Sequence, residues 1–252
     1  MKVKGVVCIL SLIFGIGFLV MQAAFGETLF KDDFENEDIG QMPSQWEFFG
    51  GAEGQGAEVV KDPRDPTNKV FFVNSPVWVG PLPEGAWAPK DQSFLKWTNY
   101  VFEGDFMVDD PTKLFAFNYR ATDYDNLLHY NTRRWATGIV GLYKREKAQW
   151  TGAVTEIQHP TEANVWYSAQ VIAEGDHHVL KMKEAKDKTD FEKIDPLIEV
   201  DVVGTNLDSG TINVMVYGYA DNLIVYVGSK DVQLGGKFAT TWAQIKADYG
   251  HQ

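Results

Sequence analysis

Planar hydrogen-bonding side chains crowd the stretch Asn118–Trp135. Sugar recognition uses such groups, because amide, guanidinium and imidazole groups can pair with neighbouring ring hydroxyls. A polar turn near Asp123 would join two strands and bring alternate residues of both strands onto one face of a sheet. The spacing therefore predicts a ligand-binding face. Its residues are Asn118, Arg120, His129, Asn131 and Arg133.

Two tryptophans lie in a Pro- and Gly-rich stretch, SPVWVGPLPEGAWAP, ahead of this region. A tryptophan on a loop offers a flat ring that stacks on the C–H face of a sugar. Trp87 is therefore included in the predicted site, and Trp78 is a second candidate. The alternative is that these rings cover a sheet edge. Arg120 has its own alternative, an ion pair with Asp123 or Asp125 that locks the turn.

Paired acids suggest a second chemistry, hydrolysis of a glycosidic bond. A glycosidase needs two carboxylates that flank one glycosidic oxygen. Glu199 and Asp201 alternate along one predicted strand, and Glu103 and Asp105 alternate along another. Acids alternating with Val or Phe are also typical of a half-exposed strand. We therefore take Glu199 and Asp201 only as weak catalytic candidates.

The chain is acidic, with a formal net charge of −12 over 252 residues. Binding to nucleic acid or to an anionic bilayer needs a basic face, which this balance does not favour. Cations and neutral sugars are better matched as partners. Acidity also keeps an exported protein soluble, and this accounts for most of the charge.

The N-terminus has the pattern of a secretory signal peptide. Lys2 and Lys4 precede an apolar stretch, and Ala24 and Gly26 have the spacing that a signal peptidase accepts. The apolar stretch is too short and too interrupted by glycine for a comfortable membrane span. We expect residues 1–26 to be removed, with export to a secreted or periplasmic location and no stable membrane insertion afterwards.

Short β-branched and aromatic runs, separated by Gly, Pro, Asp and Asn, fill residues 27–236. In one of them Phe115, Phe117 and Tyr119 share a face, and the residues between them share the other. Strands spaced by turns, without long helices, predict an all-β, antiparallel, two-sheet sandwich. Removal of the signal peptide takes away Cys8, the single cysteine, so the core must hold this domain without a disulfide.

A C-terminal tail, residues 237–252, carries the one convincing helical pattern. Thr241 and Gln244 match a capping box, and Trp242, Ile245 and Tyr249 recur on one side. We expect this short helix to pack against the sandwich. The alternative is that it docks a protein partner.

Four segments in order resemble the laminin-G-like branch of the concanavalin A-like lectin/glucanase superfamily. They are Leu29–Trp46, Trp97–Val108, Phe115–Tyr130 and Gly210–Val227. The first has an apolar-Asp-Asp-Phe run followed by Gly, Pro and Trp, and the last looks like the closing pair of strands. The resemblance implies a jelly roll over residues 27–236. That fold hosts lectins, carbohydrate-binding modules, glycosidases and lyases, so it does not choose among them.

In a jelly roll of this kind the first and last strands lie side by side, which would gather several acids. Carboxylate oxygens suit Ca²⁺, and related domains often carry one at the corresponding place. We therefore predict a structural calcium. The alternative is that the acids hydrogen-bond the backbone at turns. The predicted ligands are Asp32, Asp33, Glu35 and Asp221.

The resemblance also argues against catalysis. Sandwich glucanases place their acids as Glu-x-Asp-x-x-Glu on one strand, and here Gly204 stands where the final Glu is required after Glu199 and Asp201. We therefore expect an exported, non-catalytic, lectin-like domain that binds carbohydrate. Two alternatives stay open: a glycoside hydrolase acting on disaccharides or glycans, and a surface adhesion module that binds protein.

Overall fold

Strands dominate the residues that this computed structural model describes, which are 27–51, 56–75, 84–134 and 138–227. Two 3₁₀ helices, Gln92–Lys96 and Phe191–Lys193, accompany them. The predicted signal peptide and C-terminal helix lie outside these ranges. The strands are β1 (Glu27–Asp32), β2 (Trp46–Gly50), β3 (Ala57–Lys61), β4 (Lys69–Asn74), β5 (Ala86–Pro89), β6 (Tyr100–Met107), β7 (Phe115–Asp123), β8 (Asn126–Arg134), β9 (Ile139–Glu146), β10 (Gln149–Gln158), β11 (Tyr167–Glu174), β12 (His177–Glu184), β13 (Ile198–Asp201) and β14 (Thr211–Val227).

The strands form two antiparallel sheets. The front sheet has the order β2-β5-β14-β7-β8-β9-β10. The back sheet has the order β3-β4-β14-β6-β11-β12-β13. Strand β1 also pairs with β14. The predicted all-β antiparallel sandwich is therefore confirmed.

Strand β14 belongs to both sheets. Its first residues pair with β7 and its later residues pair with β4 and β6. The strand changes sheet near Val216 and Gly218, whose φ angles are 82° and 147°. A Cβ at Gly218 would lie 2.7 Å from the carbonyl oxygen of Met107 and 2.9 Å from the ring of Phe115, so glycine is required there. One continuous strand thus replaces the closing pair of strands that the sequence suggested.

Aromatic side chains fill the space between the sheets. Phe106 of the back sheet stacks on Phe115 of the front sheet, with ring centroids 5.3 Å apart. Phe117 meets Phe102 edge to face at 5.1 Å. Such pairs stabilise a core by about 0.5–1.5 kcal/mol each beyond the burial of their area. The core residues of β7 are the aromatic ones that the alternation predicted.

The described residues from Leu29 to Tyr226 form one compact unit. The second unit, residues 1–28 and 227–252, lies almost entirely outside the described ranges. Within those ranges, no helix has the length and apolar character needed to cross a membrane.

Candidate functional site

The predicted hairpin brings three of the predicted ligand-binding residues onto the outer face of the front sheet. Phe117 and Tyr130 point into the core, so their strand neighbours point outward. Asn118 of β7 is paired in register with His129 of β8, and its Oδ1 lies 2.7 Å from Nδ1 of the imidazole. Asn131, two residues after His129, lies on the same face. This part of the prediction matches the geometry.

A fourth polar residue, Asn213 of β14, completes the group. It is paired with Asn118, whose Nδ2 donates a hydrogen bond to the Asn213 Oδ1. Because the Asn118 oxygen only accepts, the His129 Nδ1 must donate to it, which leaves the Nε2 of a neutral ring as an acceptor. We call Asn118, His129, Asn131 and Asn213 the amide cluster.

Several buried polar atoms on this face have no hydrogen-bond partner in the described part of the chain. Two belong to the amide cluster: Oδ1 of Asn131 and Nδ2 of Asn213. The others are the Tyr124 hydroxyl and the Arg145 Nε. A buried polar atom without a partner costs about 1–3 kcal/mol. These unpartnered donors and acceptors lie close together. A ligand group that both donates and accepts hydrogen bonds, such as a sugar hydroxyl, is suited to them.

Aromatic rings flank the amide cluster. Trp150 of β10 meets the His129 ring edge to face at 5.1 Å, and Tyr143 of β9 meets it at 5.8 Å. Trp150 is half-buried, so part of its indole surface is open to solvent. An indole beside hydrogen-bonding amides provides the apolar surface and the polar contacts that sugar binding combines.

Arg145 of β9 contacts two aromatic rings and one carboxylate beside the amide cluster. Its guanidinium lies over the Tyr124 ring at 4.5 Å and over the Trp150 ring at 5.4 Å. It also forms an ion pair with Asp125 at 2.8 Å. Glu84 lies near this group, and burial raises the pKa of its carboxyl, while Arg145 lowers it to a smaller extent.

Arg120 does not lie on the ligand-binding face, contrary to the prediction. Its φ of 48° coincides with a register shift between β7 and β8, which takes the side chain out of the strand alternation. The guanidinium donates hydrogen bonds to the carbonyl oxygens of Thr98, at 3.0 Å, and Leu207, at 3.4 Å. Arg120 thus ties β7 to two loops. The alternative ion pair with a turn aspartate is also wrong, because Asp125 pairs with Arg145 and Asp123 accepts hydrogen bonds from Asn126.

Trp87 lies in β5 with no exposed surface, and it meets Phe48 edge to face at 5.9 Å. A fully buried indole has no face for a sugar, so Trp87 does not belong to the binding face; it is part of the core between the sheets. Trp78 lies outside the described residues. Arg133 lies in β8, but its side chain is outside the described part of the chain.

Two of the predicted calcium ligands already use their oxygens within the protein. Asp32 accepts hydrogen bonds from the backbone N–H of Phe34 and the indole N–H of Trp46, both at 2.9 Å. Burial, the largest effect on this carboxyl, raises its pKa. Asp33 forms an ion pair with Lys31 at 3.1 Å, and this contact lowers its pKa.

The other two predicted ligands also have protein partners. Glu35 accepts a hydrogen bond from the backbone N–H of Lys69, and Asp221 accepts one from Asn68, each at 3.0 Å. Burial, with repulsion from Asp105 and Glu35, raises the pKa of Asp221 to about 6. Among the described residues, no three His, Cys, Asp or Glu side chains are arranged to hold a metal. The four carboxylates therefore do not fit one shared ion, and calcium binding stays a prediction.

The weak catalytic candidates lie on the other sheet. Glu199 and Asp201 belong to β13, at the edge of the back sheet, and both side chains are largely exposed. His177 bridges them, with its Nδ1 2.9 Å from Asp201 and its Nε2 3.3 Å from Glu199. They are not part of the amide cluster's face.

The sequence prediction missed much of the site. Strand alternation in β9, which places Tyr143 and Arg145 on one face, was a usable signal. The positions of Asn213 and Trp150 depend on sheet order, because β14 is far from β7 in sequence and β10 lies two strands beyond the hairpin. The missed residues are Glu84, Tyr124, Tyr143, Arg145, Trp150 and Asn213.

No family model matches the chain, and no curated protein matches it in sequence. Solved structures do resemble it. The carbohydrate-binding module CBM66 of Bacillus subtilis matches with a TM-score of 0.51 and 14% identity, over 73% of this chain and 96% of that one. Domain 4 of an extracellular arabinanase of Geobacillus stearothermophilus, solved with arabinotriose, matches with a TM-score of 0.54 and 10% identity. The match covers 82% of this chain and 97% of that one.

Chicken galectin 2 is also similar, with a TM-score of 0.42 and 15% identity, over 52% of this chain and 94% of that one. At such identities a likeness shows shared architecture and not a shared ligand. The concanavalin A-like and laminin-G-like assignment stays a prediction. The fold of this chain is a β-sandwich like those of CBM66 and of the arabinanase domain.

Proposed function

We propose that this protein is a non-catalytic carbohydrate-binding domain that holds sugars on the outer face of its front sheet. The observation that carries the proposal is the meeting, on one face, of unpartnered buried amide atoms and a half-exposed tryptophan. In this site Trp150 stacks on the C–H face of a sugar. Asn118 and Asn213 of the amide cluster are fully buried, so the cluster reaches a ring hydroxyl through His129 and Asn131, which are 6% and 3% exposed.

The arrangement favours binding over hydrolysis. Glycosidic cleavage needs two carboxylates about one reacting oxygen. The candidate pair Glu199–Asp201 lies on the back sheet. Of the two acids beside the amide cluster, Asp125 is held in an ion pair with Arg145 and Glu84 is buried. Export belongs to the same proposal and is supported by the signal-peptide pattern in residues 1–26. The similarity to carbohydrate-binding modules supports the choice of ligand class, although it is a similarity of fold.

The test is removal of the stacking ring. A glycan array first identifies a sugar that the protein binds, and isothermal titration calorimetry then measures its affinity. We expect Trp150→Ala to weaken this binding at least tenfold, about 1.4 kcal/mol, because the apolar contact with the ring is lost while the fold is kept.

Trp166→Ala is the matched control. Trp166 is also half-buried, but it packs with Val70, Met107 and Tyr219 on the back sheet. We expect this variant to bind as the unmodified protein does. Equal losses in both variants, or an array without any bound glycan, would contradict the proposed function.

A further inference from the structure

Glu84 is a buried carboxyl at the border of the candidate site. It stands two residues before Ala86, which packs with Tyr124 and Met215 in an apolar patch on the outer face of the front sheet. Glu84 adjoins Tyr124, because a Cβ at Gly51 would meet the Glu84 carbonyl oxygen and would lie 2.9 Å from the Tyr124 ring, and the Arg145 guanidinium lies 4.5 Å from the centre of the same ring. Only 7% of Glu84 is exposed.

Among the side chains that the structure describes, the charges around Glu84 do not cancel. Arg145 is committed to Asp125 at 2.8 Å, and among the described residues no ion pair joins it to Glu84. Counted together, Arg145, Asp125 and Glu84 carry one excess negative charge when all three are ionised.

A buried acid without a matching cation is costly for the fold, and such groups are concentrated at functional sites. Glu84 lies among unpartnered polar atoms that suit a ligand, namely the Tyr124 hydroxyl and the Arg145 Nε. While Glu84 is ionised, a second carboxylate brought to this face is repelled at short range in a medium less polar than water. At a few ångströms, such repulsion weakens binding on the order of ten- to a hundredfold.

We propose that the site selects uncharged sugars and that Glu84 excludes sugars that carry a carboxylate. This inference rests on the proposed carbohydrate-binding function and adds the ligand class and a specificity-determining residue. Arg145, the cation that would otherwise attract an acidic sugar, has its charge balanced by Asp125 at 2.8 Å.

The test uses sugar pairs that differ only at C6, where a hydroxymethyl group is replaced by a carboxylate. Glucose-, galactose- and mannose-based oligosaccharides are compared with the oligomers of the corresponding uronic acids by calorimetry near neutral pH. We expect the unmodified protein to bind the neutral member of its preferred pair at least tenfold more tightly. Glu84→Gln, which keeps the shape of the side chain and removes its charge, should reduce the preference for the neutral sugar over its uronic acid at least tenfold.

Glu199→Gln is the control, because Glu199 is an exposed acid on the back sheet and its loss should leave the preference unchanged. Equal binding of both sugars by the unmodified protein overturns the inference without any variant, while carbohydrate binding itself stands. An unchanged preference in a folded Glu84→Gln protein overturns it too. Cleavage of an oligosaccharide that Glu84→Gln abolishes would make Glu84 catalytic and also overturn it. Failure of the array and of the Trp150 test overturns the proposed function instead.

Discussion

At the scale of single residues, backbone conformation decides which polar side chains reach the candidate site. Asn118 and Arg120 are two positions apart in β7, and strict alternation would place both on the outer face. Asn118 follows the alternation and joins the amide cluster. Arg120, with its φ of 48°, leaves it and holds two loop carbonyls instead. The type of a strand residue thus indicates its chemistry, but it does not indicate which way the side chain points when a bulge interrupts the strand.

Asp221 makes the stability of the fold depend on pH, and the direction of this dependence follows from its pKa. Its folded pKa of about 6 exceeds the ordinary value of 3.8, so the folded state binds this proton more tightly than the unfolded chain does. The contribution to stability is therefore complete below about pH 4 and is lost as the pH rises through 6. We expect the melting temperature to fall over this window, and Asp221→Asn to make the fall smaller. A pKa shift of this size changes the free energy of unfolding by at most about 3 kcal/mol.

The slope of stability against pH is the quantity to compare, because an asparagine keeps only one of the two acceptor oxygens that serve Asn68 and Asn222. Asp33→Asn is the control, since contact with Lys31 lowers the pKa of Asp33 and the group is exposed. Thermal melts at intervals from pH 4 to pH 7 measure both variants. Identical slopes for Asp221→Asn and the unmodified protein would show that Asp221 does not hold this proton.

At the scale of elements, the β9–β10 hairpin presents Arg145 and Trp150 from neighbouring strands across a turn that is strained. Lys147 and Ala148 have φ angles of 50° and 64°. Two-residue turns with two positive φ angles favour Asn and Gly, because a Cβ is crowded there. Each such residue costs about 1–2 kcal/mol relative to its relaxed conformation.

Replacing Ala148 with glycine should relieve part of this strain. Glycine removes the steric cost of a positive φ, but it also increases the conformational entropy of the unfolded chain. The first effect is larger, so we expect Ala148→Gly to raise the free energy of unfolding by about 0.5–1 kcal/mol. Chemical denaturation measures the change. Ala153→Gly in β10, where the residue is exposed and φ is not positive, should instead lower it by about 0.5–1 kcal/mol. A loss in both variants would mean that the turn is not strained in solution.

The elements were more predictable than the site. Alternation in β7 and turn residues near Asp123 are local signals, so the β7–β8 hairpin and the meeting of Asn118 with His129 could be predicted from sequence. The pairing of Asn213 with Asn118 could not, because it joins residues 95 positions apart through a strand that changes sheet. Trp87 illustrates the other limit: a Pro- and Gly-rich stretch indicated a loop, yet its last residues pair within the front sheet.

At the scale of the whole molecule, β14 makes the two sheets one structure. It lies between β5 and β7 in the front sheet and contacts β4 and β6 in the back sheet. The same strand supplies Asn213 to the candidate site and Asp221 to the back sheet. Since Cys8 is the single cysteine and lies in residues 1–26, the described domain has no disulfide to join its layers. The crossing and the aromatic core must do so.

Gly218, at the crossing, should therefore control the stability of both sheets together. In Gly218→Ala the new methyl group would meet the Met107 carbonyl and the Phe115 ring, and we expect a loss of at least about 2 kcal/mol in the free energy of unfolding. Far-ultraviolet circular dichroism and tryptophan fluorescence should show one shared denaturation midpoint, moved by the same amount, because neither sheet keeps its order without β14.

Gly204→Ala separates this effect from strain at a left-handed residue. Gly204 also has a positive φ, of 69°, but a Cβ there would have nothing within 4 Å, so its cost is confined to about 1–2 kcal/mol of backbone strain. If Gly204→Ala lost as much free energy of unfolding as Gly218→Ala or more, the crossing of β14 between the sheets would have no special role in stability. Two separate midpoints in Gly218→Ala would show that the sheets unfold independently, and the candidate site, which draws on both β7 and β14, would then be lost with the front sheet alone.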